Sequence, residues 1–249
     1  MAALRSLLLA IAMVILTIPY SLLALACRGF APLTRYRIIT SWSRAVVFCA
    51  RWICGVRWRV IGRENIPQAP SVVLSKHQSA WETMAFQLIF PPQAYVLKRE
   101  LLRVPFFGWG LAMLPNIAID RASGREALEQ VTAIGKVRLA AGFWVVIYPE
   151  GTRVPVGEKK RFKQGGAVLA RAAGTAVVPV AHNAGEFWPR NAFVKHPGEI
   201  IVSVGPPIAT AGLSAQEINA RAERWIDAEM HRLFPHHFKS AGPERAVSA

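Results

Sequence analysis

Residues 71–90 read SVVLSKHQSAWETMAFQLIF. The run 71–75 is apolar and rich in β-branched residues, at the length of a buried strand. The stretch from about Ala80 to Phe90 keeps a helical apolar pattern and stops at Pro91-Pro92, where a helix must end. Between them, KHQS forms a polar loop, so the segment predicts a strand–loop–helix unit. His77 and Glu82 lie five residues apart across it. On one helix that spacing would turn them about 140° away from each other. They can meet only if His77 lies in the loop and Glu82 in the first helical turn. A structural reading competes, because Ser79 and Glu82 spell S-x-x-E, the capping box that satisfies orphan N–H groups.

The same alternation continues from Gly62 onward. RWRVIG, AYVLK, NIAID, FWVVIYP, TAVVPVAH and EIIVSVG read as strands, and GREALEQVTAIGKVRLAA, GGAVLARAAG and SAQEINARAERWIDAEMHRLF read as helices, the last followed by a loose tail. PFFGWGLAML reads as a short helix or apolar loop. Strands alternating with helices predict an α/β fold: a mixed, largely parallel sheet flanked by helices.

The N-terminus has a different character. From Ser6 to Cys27 there are 22 residues without a charge, about 33 Å as a helix and enough to cross a hydrocarbon core. Two readings compete with a span. ALAC places Ala24 and Ala26 in an A-x-A cleavage pattern, although the run exceeds the usual signal-peptide core. Alternatively, Pro19 breaks the run and the segment pairs with the next one inside a single leaflet. That next segment, SWSRAVVFCARWICGVRW, sets Arg44 and Arg51 on one helical face beside apolar and aromatic residues, a pattern suited to an interface. The expectation is a membrane-embedded or interfacial two-helix motif over residues 1–58, then one α/β domain over 59–249. Arg28, Arg35, Arg37, Arg44 and Arg51 follow the first apolar run and only Arg5 precedes it, which places the domain on the cytoplasmic side.

Composition narrows the partners. Thirty Lys+Arg against 15 Asp+Glu give a net charge of +15, which calls for an anionic partner. Hydrophobic residues make up 53 % of the chain and the mean hydropathy is +0.28. That favours an anionic membrane surface or lipid substrate over nucleic acid, for which no helix-turn-helix, finger or aromatic RNA motif is present. Cys27, Cys49 and Cys54 are read as small hydrophobes, and His231, His236 and His237 as surface residues without a convincing ligand set.

Polar residues recur at strand ends: His77, Lys98, Asp120-Arg121, Glu150 to Arg153, and His182-Asn183. Open α/β sheets bind ligands there. In YPEGTR, Pro149 stops the strand and Gly151 permits a tight turn, so that backbone N–H groups and Arg153 could hold a phosphate. Taken singly, each of these residues is also an ordinary polar strand end.

Four blocks in order resemble the glycerolipid acyltransferases, specifically the 1-acylglycerol-3-phosphate acyltransferases. They are KHQSAWE, LKRELLRVPFFGWGLAMLPNIAIDR, YPEGTR and VVPVAHN, covering about residues 60–205. Where that family usually has Asp, this chain has Glu82; the added methylene lengthens the arm and keeps the carboxylate.

The resemblance implies acyl transfer from a thioester, acyl-CoA or acyl-acyl carrier protein, to the sn-2 hydroxyl of lysophosphatidic acid, giving phosphatidic acid at a membrane. It implies His77 as general base and Glu82 as its orienting carboxylate, with Ser79 a covalent alternative. It also implies Lys98, Arg121, Glu150, Gly151, Thr152 and Arg153 around the substrate phosphate, Glu150 orienting a guanidinium. No bound cofactor or metal is implied. Two other readings stay open: a related enzyme acting on glycerol 3-phosphate or a lyso-aminolipid, and a non-catalytic basic membrane-binding protein.

Overall fold

The structure is a computed structural model and describes residues 1–238; the loose tail expected after the last helix falls largely on 239–249, outside the described residues. The strands are β1 (Val56–Ile61), β2 (Val72–Ser75), β3 (Gln93–Lys98), β4 (Ile117–Ile119), β5 (Trp144–Ile147), β6 (Val177–His182) and β7 (Gly198–Val204). The helices are α1 (Ala2–Ala26), α2 (Pro32–Cys54), α3 (Trp81–Ile89), α4 (Phe107–Ala112), α5 (Gly124–Ala140), α6 (Gly165–Ala173), α7 (Ala184–Phe187) and α8 (Ala215–Leu233).

The strands form one sheet in the order β1-β7-β6-β2-β5-β3-β4. Every pairing is parallel except β6 with β7. The expected mixed, largely parallel sheet with flanking helices therefore forms. The central strands β2, β5 and β6 are buried along their whole length, which is why their sequences read as unbroken apolar runs rather than alternating ones.

Two apolar layers lie on the two faces of this sheet. On one, Trp81 and Phe86 of α3 pack with Val73, Val146 and Val178 and with Val46, Val47 and Ala50 of α2. On the other, Leu74, Val145, Ile147 and Val177 meet Val131 of α5, Leu169 of α6 and Ile218 of α8. Gly135 and Gly166 let helices approach closely: a Cβ at Gly166 would fall 2.3 Å from a Leu74 methyl. A complete capping box lies at α8, where Ser214 Oγ accepts from the Glu217 N–H and Glu217 accepts from the Ser214 N–H.

The two-helix membrane motif expected for residues 1–58 is corrected to one helix. Among the described residues, only the segment Ala2–Gly29 is long and apolar enough to cross a membrane. Its Leu4, Leu8, Ile11, Val14, Ile15, Ile18 and Leu22 remain exposed. The second helix carries Arg35, Arg37, Arg44 and Arg51. It buries Tyr36, Ile39, Thr40, Ser43, Val46, Val47, Ala50 and Cys54, a stripe of i, i+3, i+4 spacing. That stripe covers the sheet and α3, so the apolar face of α2 belongs to the protein core. Pro19 does not divide α1, which continues through it to Ala26.

Candidate active site

The loop leaving β2 places Lys76 and His77 at the carboxyl end of the central strands. His77 Nδ1 lies 2.9 Å from Glu82 Oε1, and Glu82 stands in the first turn of α3. The same oxygen accepts the N–H groups of Gln78 at 2.9 Å and Ser79 at 2.7 Å. Half of the capping reading is therefore present in the same contact: Glu82 reaches back to the Ser79 amide, while Ser79 Oγ accepts from the Trp81 N–H at 3.0 Å. One carboxylate orders the loop and holds the imidazole.

Glu82 is fully buried. Burial alone would raise its carboxyl, but the imidazoles of His182 and His77 and the Ser79 N–H outweigh burial and hold it below the ordinary carboxylate range. An ionised Glu82 beside Nδ1 keeps the ring proton there, leaving the Nε2 lone pair as the basic position. The ring stacks on Tyr148, with centroids 4.0 Å apart and planes 14° from parallel.

Beneath this dyad lies a second carboxylate. Glu150 is buried, pairs with the buried Lys76 ammonium, and accepts the His77 N–H at 2.7 Å. Its carboxyl is pushed up by burial, with Lys76 pulling the other way. The expectation that Glu150 orients a guanidinium is thus replaced: its oxygens are engaged by Lys76 and by the backbone of the His77 loop. The Val154 N–H donates to the His77 carbonyl at 2.7 Å, so the YPEGTR loop and the His77 loop brace each other.

His182, which ends β6, was noted in the sequence only as a polar strand end. It is fully buried; Nε2 faces the Lys76 carbonyl at 2.9 Å and Nδ1 accepts the Ala184 N–H at 3.3 Å. That pattern assigns the proton to Nε2, and burial holds the ring's basicity below the ordinary value. His182 thus fixes the same backbone that Glu150 holds. Its signal was a histidine closing the apolar run AVVPVA.

An apolar cavity of about 290 Å³ opens beside His77. Met13, Thr17 and Tyr20 of α1, Ile39 of α2, Met84 of α3 and Leu111 of α4 line it, and Arg121, Tyr148 and Arg153 line it as well. Arg121 donates to the Gly151 carbonyl at 2.6 Å. Gly151 adopts φ +71°, a left-handed turn in which a Cβ would also press on the Lys163 side chain at 3.3 Å. Thr152 is half-buried within that turn. Lys98 is not among the residues lining the cavity; its half-exposed ammonium pairs with Glu100 at 2.9 Å. Of the residues expected around a phosphate, the structure brings Arg121 and Arg153 to the cavity, joins Arg121 to the Gly151 carbonyl, and leaves Lys98 outside.

Residues 57–183 match the profile of the Acyltransferase family. The chain is 46 % identical to the 1-acyl-sn-glycerol-3-phosphate acyltransferase of Pseudomonas aeruginosa over 217 residues, 86 % of this chain and 84 % of that protein. The chain belongs to the 1-acyl-sn-glycerol-3-phosphate acyltransferase family. Another family relative, from Borreliella burgdorferi, is 32 % identical over 178 residues, 70 % of each protein. The crystal structure of the 1-acyl-sn-glycerophosphate (LPA) acyltransferase of Thermotoga maritima shares the fold, with a TM-score of 0.76 over 94 % of this chain and 98 % of that one, at 21 % identity. The acyltransferase profile spans all four sequence blocks, from β1 to the Asn183 that follows β6.

Proposed function

We propose that this acyltransferase moves a fatty acyl group from an acyl thioester to the sn-2 hydroxyl of 1-acylglycerol 3-phosphate, giving phosphatidic acid. The observation that carries the reading is that His77, held by Glu82, faces the same apolar cavity that Arg121 and Arg153 border. An acyl chain suits the apolar lining of such a cavity, and a phosphate suits the two guanidinium groups among its lining residues.

The acceptor hydroxyl has a pKa far above neutrality, so its proton must leave as it attacks. His77 Nε2 takes that proton, and the Glu82 carboxylate stabilises the imidazolium, as the acid does in hydrolase triads. The new ester C–O bond forms, the thioester C–S bond breaks, and the imidazolium returns the proton to the departing thiolate. The acyl donor, acyl-CoA or acyl carrier protein, is a co-substrate, so the chemistry needs no bound cofactor. Arg121 and Arg153 would hold the acceptor phosphate and set the hydroxyl against Nε2. Lys98 could join them only by leaving Glu100.

The apolar face of α1 supports membrane association. The arginines after it, against Arg5 alone before it, support a catalytic domain on the cytoplasmic side, with the acyltransferase domain beginning near Arg59. Purified protein given acyl-CoA and a panel of defined acceptors, with products weighed by mass spectrometry, tests the reading. Phosphatidic acid formed from lysophosphatidic acid, in preference to products from glycerol 3-phosphate or lyso-aminolipids, is the expected result. Preference for another acceptor would overturn the assignment.

A further inference from the structure

Away from the cavity, three side chains converge where the chain leaves α8. The short helix α7 carries Glu186, and the turn Pro235–Phe238 carries His236 and His237. His237 Nε2 hydrogen-bonds Glu186 Oε1, and His236 Nε2 lies 3.2 Å from the same oxygen. The candidate donor atoms of the three residues all fall within 4.8 Å of one another. Neither histidine revealed a ligand set in the sequence, because Glu186 lies 50 residues upstream of His236.

We propose that Glu186, His236 and His237 form a binding site for a divalent transition ion of zinc type. Two imidazoles and one carboxylate are a recurrent zinc donor set, with the fourth position left to water. A tetrahedral zinc ion with bonds of about 2.0–2.1 Å keeps its ligand atoms roughly 3.4 Å apart, so these atoms close on one ion by small side-chain movements. The set has too few oxygens for calcium or magnesium and no thiolate for a softer ion.

The surroundings suit the role. Asn183 Nδ2 donates to Glu186 Oε1 at 3.1 Å, and Asn183 Oδ1 accepts the Ile201 N–H at 2.8 Å, so the carboxylate is oriented from β7. Oriented outer partners of this kind tune a metal ligand. The His237 side chain is 2 % exposed, packed against the Phe234 ring. His236 is 54 % exposed and leaves an approach for the ion. The bound ion staples the C-terminal turn to α7. From there the Gly185 N–H reaches Gln78 Oε1 at 3.2 Å, beside His77.

The test uses the full chain without an affinity tag, in detergent micelles, titrated with Zn²⁺ against a chromophoric chelator and with Co²⁺ in the visible region. One ion per chain and an intense low-coordinate Co²⁺ band are expected. His236→Ala, at an exposed position, should leave the metal-free melting temperature unchanged and weaken Zn²⁺ binding at least about 10–100-fold; Glu186→Gln should weaken it similarly. If the parent and His236→Ala bind Zn²⁺ alike, or Co²⁺ gives only its weak aqueous spectrum, the three residues are a hydrogen-bonded cluster and the site does not exist.

Discussion

Glu150 accepts the His77 N–H at 2.7 Å with one carboxylate oxygen while the other pairs with Lys76. The imidazole that faces the cavity is therefore fixed from two sides, its ring by Glu82 and its backbone by Glu150. Both carboxylates are fully buried. Each must keep its partners, since removing one side of a buried ion pair strands the other charge.

Glu150→Gln should therefore destabilise the protein by about 3–5 kcal/mol, because Lys76 is left without a counter-charge. Adding Lys76→Met should recover part of that loss. Chemical unfolding of the single and double variants checks this; a double variant no more stable than Glu150→Gln would mean the pair is not what holds the loop.

Glu82 has a pH signature. Its carboxyl is held below the ordinary carboxylate range, so its contribution to stability is complete above that range and is lost as pH falls through the lower native value. The stability gap between the parent and Glu82→Gln should be large near neutral pH and shrink in acid. Glu82→Asp should retain acyl transfer and Glu82→Gln should lose most of it. A gap independent of pH, or full activity in Glu82→Gln, would remove the orienting role and leave only the loop contact.

Truncation separates the two N-terminal helices. A chain starting at Pro32 loses the exposed apolar face of α1 and should lose membrane partition, yet it keeps the α2 stripe over the sheet. A chain starting at Arg59 also strips Val46, Val47 and Ala50 from the core they share with Trp81 and Phe86, and should aggregate or fail to fold. Circular dichroism and flotation on anionic vesicles distinguish the two. Equal folding of both chains would contradict the core role of α2.

The arginines are tested by comparing acceptors. Arg153→Ala and Arg121→Ala should raise KM for lysophosphatidic acid, with Arg→Lys a partial rescue because lysine lacks the bidentate fork. A monoacylglycerol, which lacks the phosphate, should be a poor substrate for the parent and little worse for the variants. Equal damage on both acceptors would reassign these arginines to the donor or to the Arg121–Gly151 brace.

The sheet, its flanking helices and the His77–Glu82 pair were legible because their signals are local. Buried parallel strands show as apolar runs, and a five-residue step from loop to helix allows only one way for the pair to meet. The role of Glu150 was not legible, since Lys76 is distant in sequence and only the parallel alignment of β2 beside β5 sets the two strand ends together. His182 and Glu186 escaped for the same reason. The α2 stripe misled differently: helical spacing of apolar residues says that a face is covered, not whether lipid or a sheet covers it. Lys98 fell at a strand end like the others, but β3 ends beside Glu100, which takes its charge.

In the proposed mechanism His77 removes the proton from the acceptor hydroxyl. The direct measurement is kcat for acyl transfer to lysophosphatidic acid by His77→Ala, with melting temperature and vesicle binding measured on the same preparation. A loss of at least about 10²–10⁴-fold is expected, with folding and binding retained. A variant that folds, binds vesicles and turns over within a few-fold of the parent would contradict it.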